Sequence, residues 1–187
     1  MSLSLHHIGI VGTGVMGAGI AQIAAQAGYD VWLFDSRAGA AGTARDKLID
    51  TLHWLADKGK MTSAAADAAI SRLNVVDTLD QIAHCDLVIE AIIEQLEAKH
   101  TLFAELESIV AQDAILATNT SSLSVTSIAA GLQHPNRVAG FHFFNPVPLM
   151  KVIEVIGGME TDPAVVEELL ALAKQLGHTG VRAKDTP

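Results

Sequence analysis

The apolar positions along the chain change period repeatedly, and each change marks an element. From His7 to Val11 they run almost without interruption, as in a strand buried on both faces; a glycine-rich turn then opens an Ala-rich helix that reaches about Ala27 and stops at Gly28. Tyr29 to Phe34 is a second β-rich run, ending at Asp35, and Ala40 to Lys58 and Ser63 to Leu73 read as a helical pair around the Gly59 break. Short strands are expected at Asn74 to Val76 and Leu87 to Ala91. A charged amphipathic helix from Glu94 to Val110 follows, then a strand at Ala114 to Thr118 and a short helix at about Val125 to Ala130. Arg137 to Phe143 and Lys151 to Ile156 are further strands, joined through Asn145-Pro146-Val147-Pro148, whose prolines exclude helix. The last helix takes Asp162 as N-cap and Pro163 as its first residue, runs to about Leu176 and stops at Gly177, and Thr179 to Lys184 forms a final strand.

Strand and helix alternating through short loops predict an α/β fold: a Rossmann-type, doubly wound, mainly parallel sheet with helices on both faces. No repeat, low-complexity tract or linker divides residues 1–187, so one domain is expected. Ligands of such sheets bind beyond the carboxyl ends of the strands, which directs attention to the neighbourhoods of residues 12, 35, 91, 119 and 142.

Composition narrows the function. Half of the 187 residues are hydrophobic and 18% are charged, far from a disordered composition. Twelve Lys plus Arg against 21 Asp plus Glu leave a net charge of −9, the wrong sign for wrapping nucleic acid or lying on anionic lipid. Cys85 is the single cysteine, so no internal disulfide forms; the sequence lacks the paired Cys/His spacing of a zinc site, and no metal is expected. The N-terminus has no basic region leading into an apolar stretch, its Met1-Ser2-Leu3 start is compatible with an expression remnant, and no run approaches the roughly 18 apolar residues of a membrane-spanning helix. A soluble chain in a reducing, cytoplasmic setting is the expectation.

Gly12-Thr13-Gly14-Val15-Met16-Gly17 matches G-x-G-x-x-G. The match gains weight from its context: it follows a strand, opens a helix and precedes an acidic residue, Asp35, at the end of the next strand. Gly12 permits the tight turn, Gly14 lets backbone approach a pyrophosphate, and Gly17 lets the helix lie close on the sheet. The Asp35 carboxylate can accept both hydroxyls of an adenosine ribose and repels a 2′-phosphate, so NAD is expected over NADP. Arg37, close by, is expected to reach solvent.

Among eight histidines, His142 stands apart because it falls at the carboxyl end of a strand, in Gly140-Phe141-His142-Phe143-Phe144-Asn145-Pro146. An imidazole there can take a hydroxyl proton as hydride leaves and return it in reduction. Glu154, a lone carboxylate inside an apolar strand, needs a partner. His142 on a neighbouring strand is one candidate and Lys151 is another. Asn119-Thr120-Ser121-Ser122-Leu123 follows a further strand and offers neutral hydrogen-bonding groups at the same edge. Glu90-Ala91 and Glu94 follow yet another, with Glu94 read as a first-turn helix residue.

Together these segments resemble the NAD-binding domain of the 3-hydroxyacyl-CoA dehydrogenase family. The resemblance runs from about His6 through the glycine turn, Asp35, Val88-Ile89-Glu90-Ala91 with Glu94 and Lys99, and Asn119-Thr120-Ser121-Ser122-Leu123. Its most distinctive piece is His142-Phe143-Phe144-Asn145-Pro146-Val147-Pro148-Leu149-Met150-Lys151. It implies NAD-dependent, reversible oxidation of (3S)-hydroxyacyl-CoA to 3-ketoacyl-CoA, as in fatty-acid β-oxidation. His142 would be the base, Glu154 its carboxylate partner and Ser121 the hydroxyl that holds the substrate 3-oxygen. Ala91, Glu94, Lys99, Asn119 and Ser121 would border the cofactor, and Thr51 and Lys58 would reach the CoA moiety. The family pattern continues past Pro187 into a helical domain, so a longer, homodimeric protein is expected to be the active form. Two other functions compete: a Rossmann dehydrogenase of a free hydroxy acid, and an NAD-binding module without catalysis.

Overall fold

The near-continuous apolar runs have a direct cause in the sheet. β1 (His7–Val11) lies between β2 (Asp30–Phe34) and β4 (Leu87–Glu90), pairing in parallel with both, so both of its faces are covered by helices. The computed structural model describes residues 5–186. The expectations for residues 1–4 and for Pro187 lie outside the described residues. The other strands are β3 (Leu73–Val75), β5 (Ile115–Thr118), β6 (Val138–Phe143), β7 (Val152–Gly157) and β8 (Thr179–Lys184), and the sheet order is β3-β2-β1-β4-β5-β6-β7-β8. From β3 to β6 every pairing is parallel; β7 runs antiparallel to β6, and β8 is parallel to β7.

The helices are α1 (Val15–Gln26), α2 (Ala40–Asp57), α3 (Ser63–Ser71), α4 (Leu96–Ile109), α5 (Val125–Ala129) and α6 (Pro163–Gln175). Alternate strand residues serve two cores. Ile8, Ile10, Leu87, Ile89 and Ile115 join the core under α1, α2, α3 and α6, whereas Val11, Val88 and Leu116 join Phe103, Leu106 and Ile128 under α4 and α5. Chain order reverses between β1 and β4, and the crevice opened there at the carboxyl ends of the strands is where such sheets take ligands.

Most predicted boundaries agree to within one or two residues. α6 begins as expected, with the Asp162 side chain accepting from the Ala164 amide at 2.8 Å and Pro163 at the first position. α4 does not: it starts at Leu96 with Gln95 extended, leaving Glu94 in the preceding loop. The Glu94 carboxylate is occupied by donors from a different loop, so the reading of Glu94 as a first-turn residue is corrected. A 3-10 turn at Leu79–Ile82, closed by a Thr78/Gln81 capping box, went unanticipated in the loop before β4. Among the described residues no helix is long and apolar enough to cross a membrane.

Candidate active site at the carboxyl edge of the sheet

The three glycines of the β1–α1 turn are required for different reasons. At Gly12, φ is +94° and a Cβ would stand 2.5 Å from the Ala91 carbonyl oxygen; at Gly17 a Cβ would stand 1.8 Å from the Gly12 oxygen. Backbone packing alone therefore explains both. Gly14 is the N-cap of α1, and nothing of the protein lies within 4 Å of the Cβ it lacks. The space before it is open, beside the amides at a helix N-terminus, and suits an anionic ligand approaching backbone closely.

Two clefts meet at this turn, with Gly14 and Arg37 in the walls of both. One, of about 810 Å³, runs from Asp35 past Ala91 and Ile92 to the α4 residues Ala98 and Leu102. The other, of about 670 Å³, lies between α1, α2 and the loop Asn145–Pro148. Val15 and Thr51 line the second cleft, joined by Lys47, which the sequence did not single out. Lys58 does not line it: this residue caps the C-terminus of α2, exposed, on the same face as Thr51 but about 10 Å further along the axis. Of the expected pair, only Thr51 is brought to the cleft.

Asp35 sits at the end of β2 with a side chain 6% exposed. Thr13 donates both its backbone N–H and its hydroxyl to Oδ2, each at 2.8 Å, and Arg37 donates its amide and Nε to Oδ1, each at 3.0 Å. Burial alone would raise the acid's pKa, but these bonds to Arg37 and Thr13 outweigh it and hold Asp35 well below the usual carboxylate range. Arg37 is 72% exposed as expected, yet it is also the ion-pair partner of Asp35, which the sequence reading did not foresee.

Glu94 grips the loop after β5. Its Oε1 accepts the backbone N–H groups of Ser121 at 2.9 Å and Ser122 at 3.3 Å, together with the Thr120 hydroxyl. Burial would raise its pKa; the Thr120 bond, the Lys99 charge and the Ser121 amide prevail and lower it to about 2. Lys99 itself is buried behind Glu94, with Nζ 3.1 Å from Glu94 Oε2, so the carboxylate and not the ammonium borders the open cavity.

His142 and Glu154 are directly opposed in the β6–β7 register, with Nδ1 2.8 Å from Oε2. Of the two partners left open for Glu154, the geometry selects the imidazole. Because Nδ1 is taken up by the carboxylate, Nε2 is the ring nitrogen left for a reacting proton. His142 shares one cavity, of about 360 Å³, with Met16, Ala91, Glu94, Asn119 and Ser121. It shares a second, of about 240 Å³, with Ser121, Glu154, Lys184 and Asp185. The Asn119 side chain ties the loop after β5 to the end of β6, its Oδ1 accepting the Phe143 amide at 2.9 Å. Asp185 was missed by the sequence reading. Its carboxylate caps α5 by accepting the amides of Val125 and Thr126 at 2.7 and 2.8 Å, and no local pattern at residues 184–186 signals so distant a contact.

Cys85 is buried, and burial, aided by the nearby Asp86 charge, pushes its thiol up to about 12, so it is not a nucleophile at neutral pH. Among the described residues no cluster of His, Cys, Asp and Glu could hold a metal ion.

Comparison with known proteins places the chain in a family. Residues 7–186 match the family model described as 3-hydroxyacyl-CoA dehydrogenase, NAD binding domain. The chain is 42% identical over 187 residues to 3-hydroxyadipyl-CoA dehydrogenase of Escherichia coli, covering 100% of this chain and 39% of that protein. It is 42% identical over 185 residues to a probable 3-hydroxybutyryl-CoA dehydrogenase of Bacillus subtilis, covering 99% and 64%. Among solved structures, a 3-hydroxybutyryl-CoA dehydrogenase from Escherichia coli superposes with a TM-score of 0.97 at 43% identity, over 99% of this chain and 39% of the other. The chain thus spans between about two fifths and just under two thirds of the length of these relatives.

Proposed function

The chain belongs to the 3-hydroxyacyl-CoA dehydrogenase family, as its NAD-binding domain, and we propose that it carries the cofactor site and the acid–base pair of an enzyme that interconverts (3S)-hydroxyacyl-CoA and 3-ketoacyl-CoA. The observation that carries this reading is the His142–Glu154 pair, 2.8 Å apart, lining one cavity with Ser121, while His142 and Ser121 also line a second with Met16 of the glycine motif.

The residues fit NAD. The open space at Gly14 admits a pyrophosphate to the α1 amides, and Asp35, in the wall of the adjoining cleft, would accept the ribose hydroxyls. NAD, when bound, supplies the acceptor or donor of hydride at the substrate carbon. Met16, Ala91, Glu94, Asn119 and Ser121 would border it in the cavity beside His142. In oxidation His142 Nε2 takes the proton of the substrate hydroxyl, and Glu154 holds the ring's tautomer and stabilises the imidazolium that forms. In reduction the proton returns to the new alkoxide oxygen. Ser121 supplies a hydrogen bond to that oxygen. The CoA arm would follow the cleft lined by Lys47 and Thr51, where a cation can meet its phosphates.

The test is steady-state NADH oxidation with a short 3-ketoacyl-CoA, with free CoA as competitor. Substrate-dependent oxidation inhibited by CoA is expected. Oxidation indifferent to CoA would return the site to a free hydroxy acid. NADH binding with no oxidation above background would make the chain a binding module.

A further inference from the structure

Behind the loop that carries Asn119 and Ser121 lies a carboxylate that touches neither cleft. Glu90, the last residue of β4, is 0% exposed. A buried carboxylate is costly unless its oxygens are filled, and here they are. Oε1 accepts the Ile92 amide at 2.7 Å and Lys99 Nζ at 2.6 Å; Oε2 accepts the Thr118 hydroxyl at 2.7 Å. Lys99 is 1% exposed and sits in the first turn of α4, so Glu90 and Glu94 share one buried ammonium.

Both arms of this arrangement end on the same loop. Through Lys99, Glu90 sets the position of Glu94, whose Oε1 accepts the Ser121 and Ser122 amides. Through Thr118, whose hydroxyl oxygen accepts the Thr120 amide at 3.2 Å, it holds the start of the same turn. A buried ion pair adds little net stability over apolar residues of the same shape, because desolvation offsets the attraction. What it does impose is geometry: a carboxylate with three fixed donors cannot move without stranding one of them.

We infer that Glu90 is a positioning residue, which acts through Lys99 and Thr118 to fix the loop bearing Asn119 and Ser121 beside His142. The effect on turnover rests on the reaction proposed above, whereas the effect on the loop does not.

Glu90→Gln separates the two. The amide can still accept from Ile92 and Lys99 and donate to the Thr118 oxygen, so the hydrogen bonds persist while the charge is lost. Lys99 then has Glu94 as its one anionic partner, and the grip on Ser121 and Ser122 changes. In ¹H–¹⁵N spectra of the 187-residue chain, the Ser121 and Ser122 amide signals should move or broaden while those of α2 and α3, which lie away from β4, stay in place. In the oxidation assay kcat should fall about tenfold, with a smaller change in KM for NADH, as a sub-ångström misplacement requires. Glu90→Asp should not rescue either readout, because the shorter side chain cannot reach both Lys99 and Thr118. Loop signals and kcat that match the wild type would overturn the inference, and so would a shift spread evenly over the whole spectrum. Should Glu90→Gln fail to fold, Thr118→Val cuts the second arm and is read by the same two signals. Shifted loop amides in a chain whose wild type oxidises no NADH would support the positioning role and count against the proposed reaction.

Discussion

His142 and Glu154, twelve residues apart in the chain, stand directly across from each other in the β6–β7 ladder, with Nδ1 2.8 Å from Oε2. The antiparallel turn-back of β7 makes this possible. The connection from Phe144 to Lys151 returns the chain beside β6, so a residue near the end of one strand meets one near the start of the next on the same face. His142 is 14% and Glu154 38% exposed on the side chain, so the pair is reachable from the cavity that holds Ser121.

His142→Ala is expected to lower kcat by about 10²–10⁴-fold, the range of general acid–base catalysis, with NADH affinity nearly unchanged. Glu154→Gln keeps the side chain's shape but removes the charge that supports the imidazolium, so it should slow turnover less and change its pH profile. Steady-state kinetics together with NADH titration check both. A near-normal rate for His142→Ala would leave the pair a structural ion pair.

Asp35→Ala should weaken NADH binding by about 1.5–3 kcal/mol, the worth of a charge-assisted hydrogen bond, and narrow the preference over NADPH. Arg37→Ala should have the opposite effect on selectivity, because it strips from Asp35 the cation that offsets its repulsion of a 2′-phosphate. Fluorescence titration with both nucleotides decides; equal affinities in the wild type would refute the role of Asp35.

Gly14→Ala should leave thermal stability close to the wild type, since nothing of the protein lies within 4 Å of the added methyl, yet it should impair NADH binding. Gly17→Ala should instead fail to fold stably, because its methyl would meet the Gly12 oxygen at 1.8 Å. Melting curves with and without NADH distinguish a residue spared for a ligand from one required by packing.

In the second cleft, Lys47→Ala should raise KM for the acyl-CoA substrate, whereas Lys58→Ala should not. Kinetics against a short 3-ketoacyl-CoA test this directly, and a larger effect at Lys58 would place the CoA arm on the far end of α2.

Acid should destabilise the fold through carboxylates that are bonded in the native state. The folded pKa of Glu94 is lowered, from 4.5 to about 2, so its contribution is present above about pH 4.5 and is lost as the pH falls toward 2. Asp185, held low by the α5 amides and hydroxyls against the raising effect of burial, acts in the same direction. Melting temperatures recorded across that window should fall steeply in the wild type and less steeply in Glu94→Gln. Parallel curves would show that Glu94 is not a source of the acid sensitivity.

The elements and the turn chemistry were legible because they are properties of short stretches of chain. Apolar period marks how each segment is buried, Asp162-Pro163 announces a helix start, and Gly12, Gly14 and Gly17 ahead of Asp35 mark a nucleotide turn wherever the strands go. His142 could be singled out by its place at a strand end, and Glu154 by being a charge in an apolar strand. Their pairing could not be decided, because Lys151 lies nearer in sequence, and only the antiparallel register of β7 sets Glu154 against the imidazole. The same limit hid the Thr13–Asp35 bonds, the sharing of Lys99 between Glu90 and Glu94, and the presence of Lys47 rather than Lys58 in the cleft. Periodicity reports that a residue is buried or exposed. Which group it meets there depends on strand order, register and helix packing, and these arise only when distant segments come together.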